Sequence, residues 1–115
     1  MVDLKYRYSD YSVEQLREEL GHLKEKLMKA ERSGNLSQVA INERKLQIVQ
    51  SYLLNPADFH PNKIYRLHGD PGHTFKVSHI NGIMAWGQRI NLLGEVYEKL
   101  EALPIALLGD EVQSS

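Results

Sequence analysis

The chain has 115 residues, 42% of them hydrophobic and 25% charged, which suits one compact globular unit or a small barrel with a helical attachment. Its 14 basic and 15 acidic residues divide evenly, 9 against 8 up to Asn55 and 5 against 7 beyond it, so broad nonspecific attraction to nucleic acid or anionic lipid is not expected. It has no cysteine, which excludes disulfides and thiolate ligation, and no apolar run approaches the roughly 18 residues needed to cross a bilayer, so a cytoplasmic protein without membrane contact is expected.

Residues 1–11 form a leader in which Tyr6, Tyr8 and Tyr11 alternate with charged or small residues. A first helix follows. Ser12 is a good N-cap, Gln15 completes a capping box, and Tyr11 can staple onto Leu16. Leu16, Leu20, Leu23, Leu27 and Ala30 recur at helical spacing, and Gly34 supplies a left-handed stop. Asn35 caps a second helix in which Val39, Leu46, Val49 and Leu53 line a seam interrupted by Asn42. The connection Ser33-Gly34-Asn35 is so short that the helices must fold back antiparallel. The second helix carries a further apolar flank, Ile41, Ile48 and Tyr52, suited to a protein interface or a homodimer. Asn55-Pro56 ends it.

After Pro56 the hydrophobic period changes from about 3.6 to 2, the spacing of strands. Ile64–His68 reads as the first strand, and Phe75–Ile80 and Ile83–Ile90 flank the hairpin signal Asn81-Gly82. Counting back from that turn pairs Ile80 with Ile83, His79 with Met84 and Val77 with Trp86. Phe75, Val77, His79, Met84 and Trp86 then face the interior, while Lys76, Ser78, Ile80, Ile83, Ala85 and Arg89 face outward. On this reading Ile80 and Ile83 protrude unless the helical hairpin covers them. Residues 91–99 form a longer loop with a helical turn through Val96 and Leu100. Glu101-Ala102-Leu103 is a last short strand, and Ile105–Leu108 is a closing turn. The expected architecture is α+β: a leader (1–11), an antiparallel two-helix hairpin (12–55), a small SH3-like barrel (56–109) and a polar tail (110–115).

Three stretches carry a more specific resemblance. Tyr52-Leu53-Leu54-Asn55-Pro56, Ile80-Asn81-Gly82-Ile83-Met84-Ala85-Trp86-Gly87-Gln88-Arg89 and Glu101-Ala102-Leu103-Pro104-Ile105 resemble the YfhH family of bacterial proteins. The resemblance implies a helical hairpin joined to an SH3-like barrel and, from the label its members carry, a transcriptional regulator. It brings no catalytic residues with it.

The residues themselves offer few sites. His68 and His73, with Asp70 beside them, lack the tight spacing of zinc ligands, so neither metal nor cofactor is expected. No Gly-x-Ser-x-Gly elbow or phosphate-cradling glycine loop is present, so an enzyme is not expected either. With Tyr65 and Leu67 facing inward, Arg66 faces outward with Lys76 and Arg89, and with Lys63 nearby these make a candidate stripe for phosphate contacts. The partner is thus a nucleic acid, contacted through Lys63, Arg66, Lys76 and Arg89, or a protein, contacted through Ile41, Ile48 and Tyr52.

Overall fold

A computed structural model describes residues 7–113. The chain divides into two compact units, the first ending at Leu53 and the second beginning at Leu54.

The first unit is the helical hairpin. Helix α1 spans Val13–Ser33 and α2 spans Leu36–Tyr52. The start of α1 is fixed by a reciprocal capping box. The Gln15 backbone N–H donates to Ser12 Oγ at 3.2 Å, and the Ser12 backbone N–H donates to Gln15 Oε1 at 2.8 Å. Gly34 closes α1 in the left-handed region at φ 69°, and Asn35 immediately caps α2 through Oδ1 and the Gln38 N–H. Leu16, Leu23, Leu46 and Val49 form the buried core between the helices, with Leu20, Leu27, Tyr52 and Leu53 packed around it. Tyr8 and Tyr11, from the leader, pack on the same core, their rings edge to face with centroids 5.3 Å apart. The Tyr8 hydroxyl donates to Glu19 at 2.8 Å. Burial, and then that carboxylate, push its ionisation up. Tyr6 lies outside the described residues.

Replacing Ser12 by Ala removes one side of the capping box and should lower stability by about 1 kcal/mol. Ser12→Asp, which keeps an acceptor and adds a favourable charge at the helix start, should retain it. Urea unfolding followed by helical circular dichroism measures both. A Ser12→Ala protein as stable as the parent would show that the cap contributes nothing.

The second unit is a five-stranded antiparallel sheet in the order β4-β3-β2-β1-β5. Its strands are β1 Ile64–Leu67, β2 His73–Asn81, β3 Met84–Asn91, β4 Glu101–Pro104 and β5 Leu108–Glu111. The core is Tyr65 and Leu67 from β1, Phe75 and Val77 from β2, Ala85 from β3, then Leu103, Ile105 and Leu108. The Tyr65 hydroxyl accepts the His60 N–H at 2.9 Å, and Phe59 packs edge to face on its ring. Strands β4 and β5 are joined by a 3₁₀ turn, Ile105–Leu107, and are the two edges of the ladder. The architecture is therefore α+β as expected, but the hydrogen-bonded ladder does not close on itself as a barrel.

The β2–β3 register corrects the sequence reading. Asn81 pairs with Met84, Ile80 with Ala85 and His79 with Trp86, so the two-residue loop is Gly82–Ile83 and not Asn81–Gly82. Gly82 occupies the first loop position at φ 60°, the conformation that tight hairpin turns demand there. A slip of one residue turns every β3 side chain to the opposite face. Ala85 and Gly87 are accordingly buried, while Trp86, expected inside, is 36% exposed. On β2 a bulge between Val77 and His79 makes a second reversal. It leaves His79 exposed and turns Ile80 onto the core, where the expected register had it protruding.

Two further expectations fail. The segment expected to begin a polar tail at 110 is part of β5, with Glu111 opposite Tyr65. Leucine and glycine aside, β5 has no apolar alternation to betray it, and backbone pairing with β1 defines it. The 91–99 loop holds no helical turn; instead Val96 bridges to Ile90, and the Tyr97 N–H donates to the Arg89 carbonyl at 2.8 Å.

Candidate functional site

Strands β1, β2 and β3 contain no acidic residue. Their outward face carries Arg66 opposite Thr74, and Lys76 opposite both Ile64 and Gln88. Arg66 and Lys76 are diagonal neighbours on adjacent strands, a relation that places side chains within about 7–8 Å. Both are exposed, and neither joins an ion pair with a described residue. Two residues before Gln88 on the same face stands Trp86, its indole parallel to the His79 ring within 4° at a centroid separation of 6.0 Å. The register expected from the sequence puts both rings on the inner face and leaves no exposed aromatic beside the cations. Gly87 was the available signal: a glycine inside a strand marks close backbone approach and therefore an inward position. Lys63 is exposed just ahead of β1.

Arg89 does not belong to this face. It pairs with Phe75, so it emerges on the core side of the sheet, where Nη1 donates to Asp70 at 2.5 Å and Nε donates to Glu101. Its charge is thus held between two carboxylates, and the expected four-residue stripe shrinks to Arg66 and Lys76 with Lys63 nearby. Asp70 sits in the turn before β2 and also accepts from His73 Nδ1 at 3.0 Å. The far ring nitrogen, Nε2, meets the Tyr97 hydroxyl at 2.8 Å. With Nδ1–H directed at the carboxylate, a neutral His73 accepts at Nε2 from Tyr97. The chain Arg89–Asp70–His73–Tyr97 thereby fastens the β3–β4 loop to β2. Each of its polar groups is met by another member, which makes it a clasp for the loop.

The His73 hydrogen bond, reinforced by the charge of Arg89, holds the Asp70 carboxyl below its ordinary value of 3.8. A carboxyl whose folded value is depressed contributes stability that is complete above 3.8 and lost as the pH falls through the folded value. Asp70→Asn should therefore flatten the acid limb of the stability curve below about pH 4. Urea midpoints measured from neutral pH downward test this; an acid limb identical in both proteins would mean the clasp is not charged.

Beside the clasp lies an open cleft of about 720 Å³, with Phe59, Leu67 and Leu108 on its apolar side and Arg66, His68 and Asp110 among its polar groups. His68 and His73 both border it, yet His73 is committed to Asp70 and Tyr97. Among the described residues no group of three or more His, Asp or Glu is placed to hold a metal ion.

The apolar flank of α2 divides. Tyr52 packs on the hairpin core, Ile48 is half-buried, and Ile41 is exposed. A more exposed apolar feature was missed. The Asn91 side chain accepts the N–H groups of Leu93 and Glu95, building a turn that holds Leu92 and Leu93 in solvent at 81% and 85% exposure. The only cue in the sequence was Asn91 followed three residues later by Gly94, a turn signature flanking two leucines. No helix among the described residues is long and apolar enough to cross a membrane.

Comparison with known proteins agrees with the resemblance found in the sequence. The chain is 36% identical over 108 residues to the uncharacterized protein YfhH of Bacillus subtilis (strain 168), covering 94% of this chain and 99% of that protein. Residues 6–109 match the family described as a protein of unknown function, DUF1811. With nearly the whole chain covered in both comparisons, the protein belongs to the YfhH (DUF1811) family.

Proposed function

We propose that this is a non-enzymatic, cytoplasmic regulatory protein that acts by binding nucleic acid on the outward face of its sheet. The observation that carries the reading is the coincidence, on strands β1 to β3, which hold no acidic residue, of Arg66 and Lys76 outside any ion pair with a described residue and the exposed Trp86–His79 stack. Free cations supply phosphate contacts, and an aromatic among them supplies a surface for bases. A transcriptional regulator, the role implied by the resemblance noted in the sequence, is consistent with this reading, although the family is described as one of unknown function. In this reading, the sheet unit is an SH3-like module whose ladder order runs β4-β3-β2-β1-β5 with a 3₁₀ turn between β4 and β5.

Binding to labelled oligonucleotides across a salt series tests it. Association should weaken steeply with salt, and Arg66→Ala with Lys76→Ala together should remove roughly two units of charge from the slope. No association at low salt would count decisively against the proposal.

A second reading, a protein adaptor without nucleic acid, is favoured by Leu92 and Leu93 on their fixed turn. Recovery from lysate of a partner that survives nuclease treatment and is lost in Leu92→Ser/Leu93→Ser would support that reading instead.

A further inference from the structure

We infer that the nucleic acid bound by this face is single-stranded, with an unpaired base stacked on Trp86 and the adjoining phosphates on Lys76 and Arg66. The inference rests on the nucleic-acid reading above and gives it a substrate class.

Three features of the face select an unpaired strand. The first is the indole itself. A base inside a duplex has both its faces covered by neighbouring pairs, so an exposed tryptophan can take up only a base that is free. Trp86 is exposed on a strand, the flat setting in which a base can lie against a ring. The second is order. Trp86 and His79 are a directly opposed pair at the bulge, and their nearly parallel rings hold one another. The imidazole beside it restricts the indole before any ligand arrives, which lowers the rotamer freedom to be lost on binding. A base added to this pair extends an existing stack. The third is spacing. Lys76 and Arg66 lead diagonally away from the Trp86–Gln88 edge, from β2 to β1. That line of charge follows one backbone. Duplex recognition through a groove would need a protruding helix or ribbon, and within the described sheet unit strands β1 to β3 run in the ladder with none projecting from it.

Gln88, directly opposite Lys76, donates its side-chain amide to the Glu98 carbonyl of the β3–β4 loop at 3.2 Å, so it is held by the protein and the base is left to Trp86 and the cations.

Trp86 is the only tryptophan in the chain, so its fluorescence reports on this face alone. The full chain is titrated with oligo(dT) of about 12 nucleotides, a length within the usual site size, and with a duplex of equal length. Oligo(dT) should quench Trp86 and bind at least tenfold more tightly than the duplex. Trp86→Ala, followed by anisotropy of the labelled strand, should weaken oligo(dT) binding about tenfold or more, and Trp86→Phe should restore most of it. Lys76→Ala should weaken binding and reduce the salt slope by about 0.7. If Trp86→Ala fails to fold, His79→Ala removes the ring that holds the indole and should weaken oligo(dT) selectively. Equal affinity for strand and duplex, unaffected by Trp86→Ala or His79→Ala, would overturn the inference and leave the nucleic-acid reading standing. Absence of binding to either ligand would overturn both.

Discussion

Replacing Gly87 by alanine should destabilise the sheet unit by about 3 kcal/mol, the upper end of what overpacking costs. A Cβ at this position would lie 2.0 Å from the Lys76 carbonyl oxygen and 2.9 Å from Cε2 of Phe75. The first of these neighbours is backbone, and the second belongs to a ring with no exposure at all. Neither can swing aside as the end of a flexible side chain would. The clash is relieved only by parting β2 from β3, which breaks hydrogen bonds at the centre of the ladder and opens the core beneath it. Gly21 is the contrasting control. It lies within α1, and a Cβ there meets nothing within 4 Å. Gly21→Ala should stabilise the hairpin by about 0.5–1 kcal/mol through helix propensity and a less flexible unfolded chain. Urea unfolding, with Trp86 fluorescence reporting the sheet and circular dichroism the helices, separates the two. A Gly87→Ala protein as stable as the parent would mean that β2 and β3 do not approach as closely as described.

The parts of the fold that were legible in the sequence are those fixed by local chemistry. The capping box of Ser12 and Gln15 and the glycine stop at Gly34 are decided within a few residues, and they stand as expected. So does the alternation of Tyr65, Arg66 and Leu67, because a strand packed on one face sorts its own side chains. The β2–β3 hairpin was legible as a hairpin but not in its register. Asn81-Gly82-Ile83 admits a two-residue loop at either of two positions, and only the demand of the core decides between them. Val77 has Gly87 opposite it and Ile80 has Ala85. The Phe75 ring lies so close to Gly87 that a Cβ there would meet its Cε2 at 2.9 Å, which leaves no room in that place for the indole of Trp86. The bulge at Ser78 adds a reversal that no period-2 pattern can reveal. The candidate site inherited both errors. Arg89 joined the basic stripe and Trp86 left it, whereas the pairing puts Trp86 outside and Arg89 between Asp70 and Glu101. These two carboxylates stand 31 residues apart in sequence, and their convergence on one guanidinium is a tertiary event with no local trace.

Phe75→Ala should cost about 3–5 kcal/mol, and Trp86→Ala about 1 kcal/mol. Size alone argues the reverse, since tryptophan is the larger side chain, and so does the register first expected, which seats Trp86 behind Val77. Burial decides. Phe75 is fully enclosed among Tyr65, Leu67, Val77 and Ala85, so its removal leaves a void that the close-packed strands cannot collapse to fill. Trp86 gives up only a half-exposed surface and its stack on His79. Both variants can be compared with the parent by urea unfolding followed through the far-ultraviolet signal, which does not depend on the tryptophan. The ranking then reads the register directly, because a side chain is costly to delete only on the inner face. Were Trp86→Ala the more damaging of the two, the indole would belong to the core and the outward face would have no ring for a base to meet. Were the ranking as expected, loss of oligonucleotide binding in Trp86→Ala would reflect a lost contact in an intact fold.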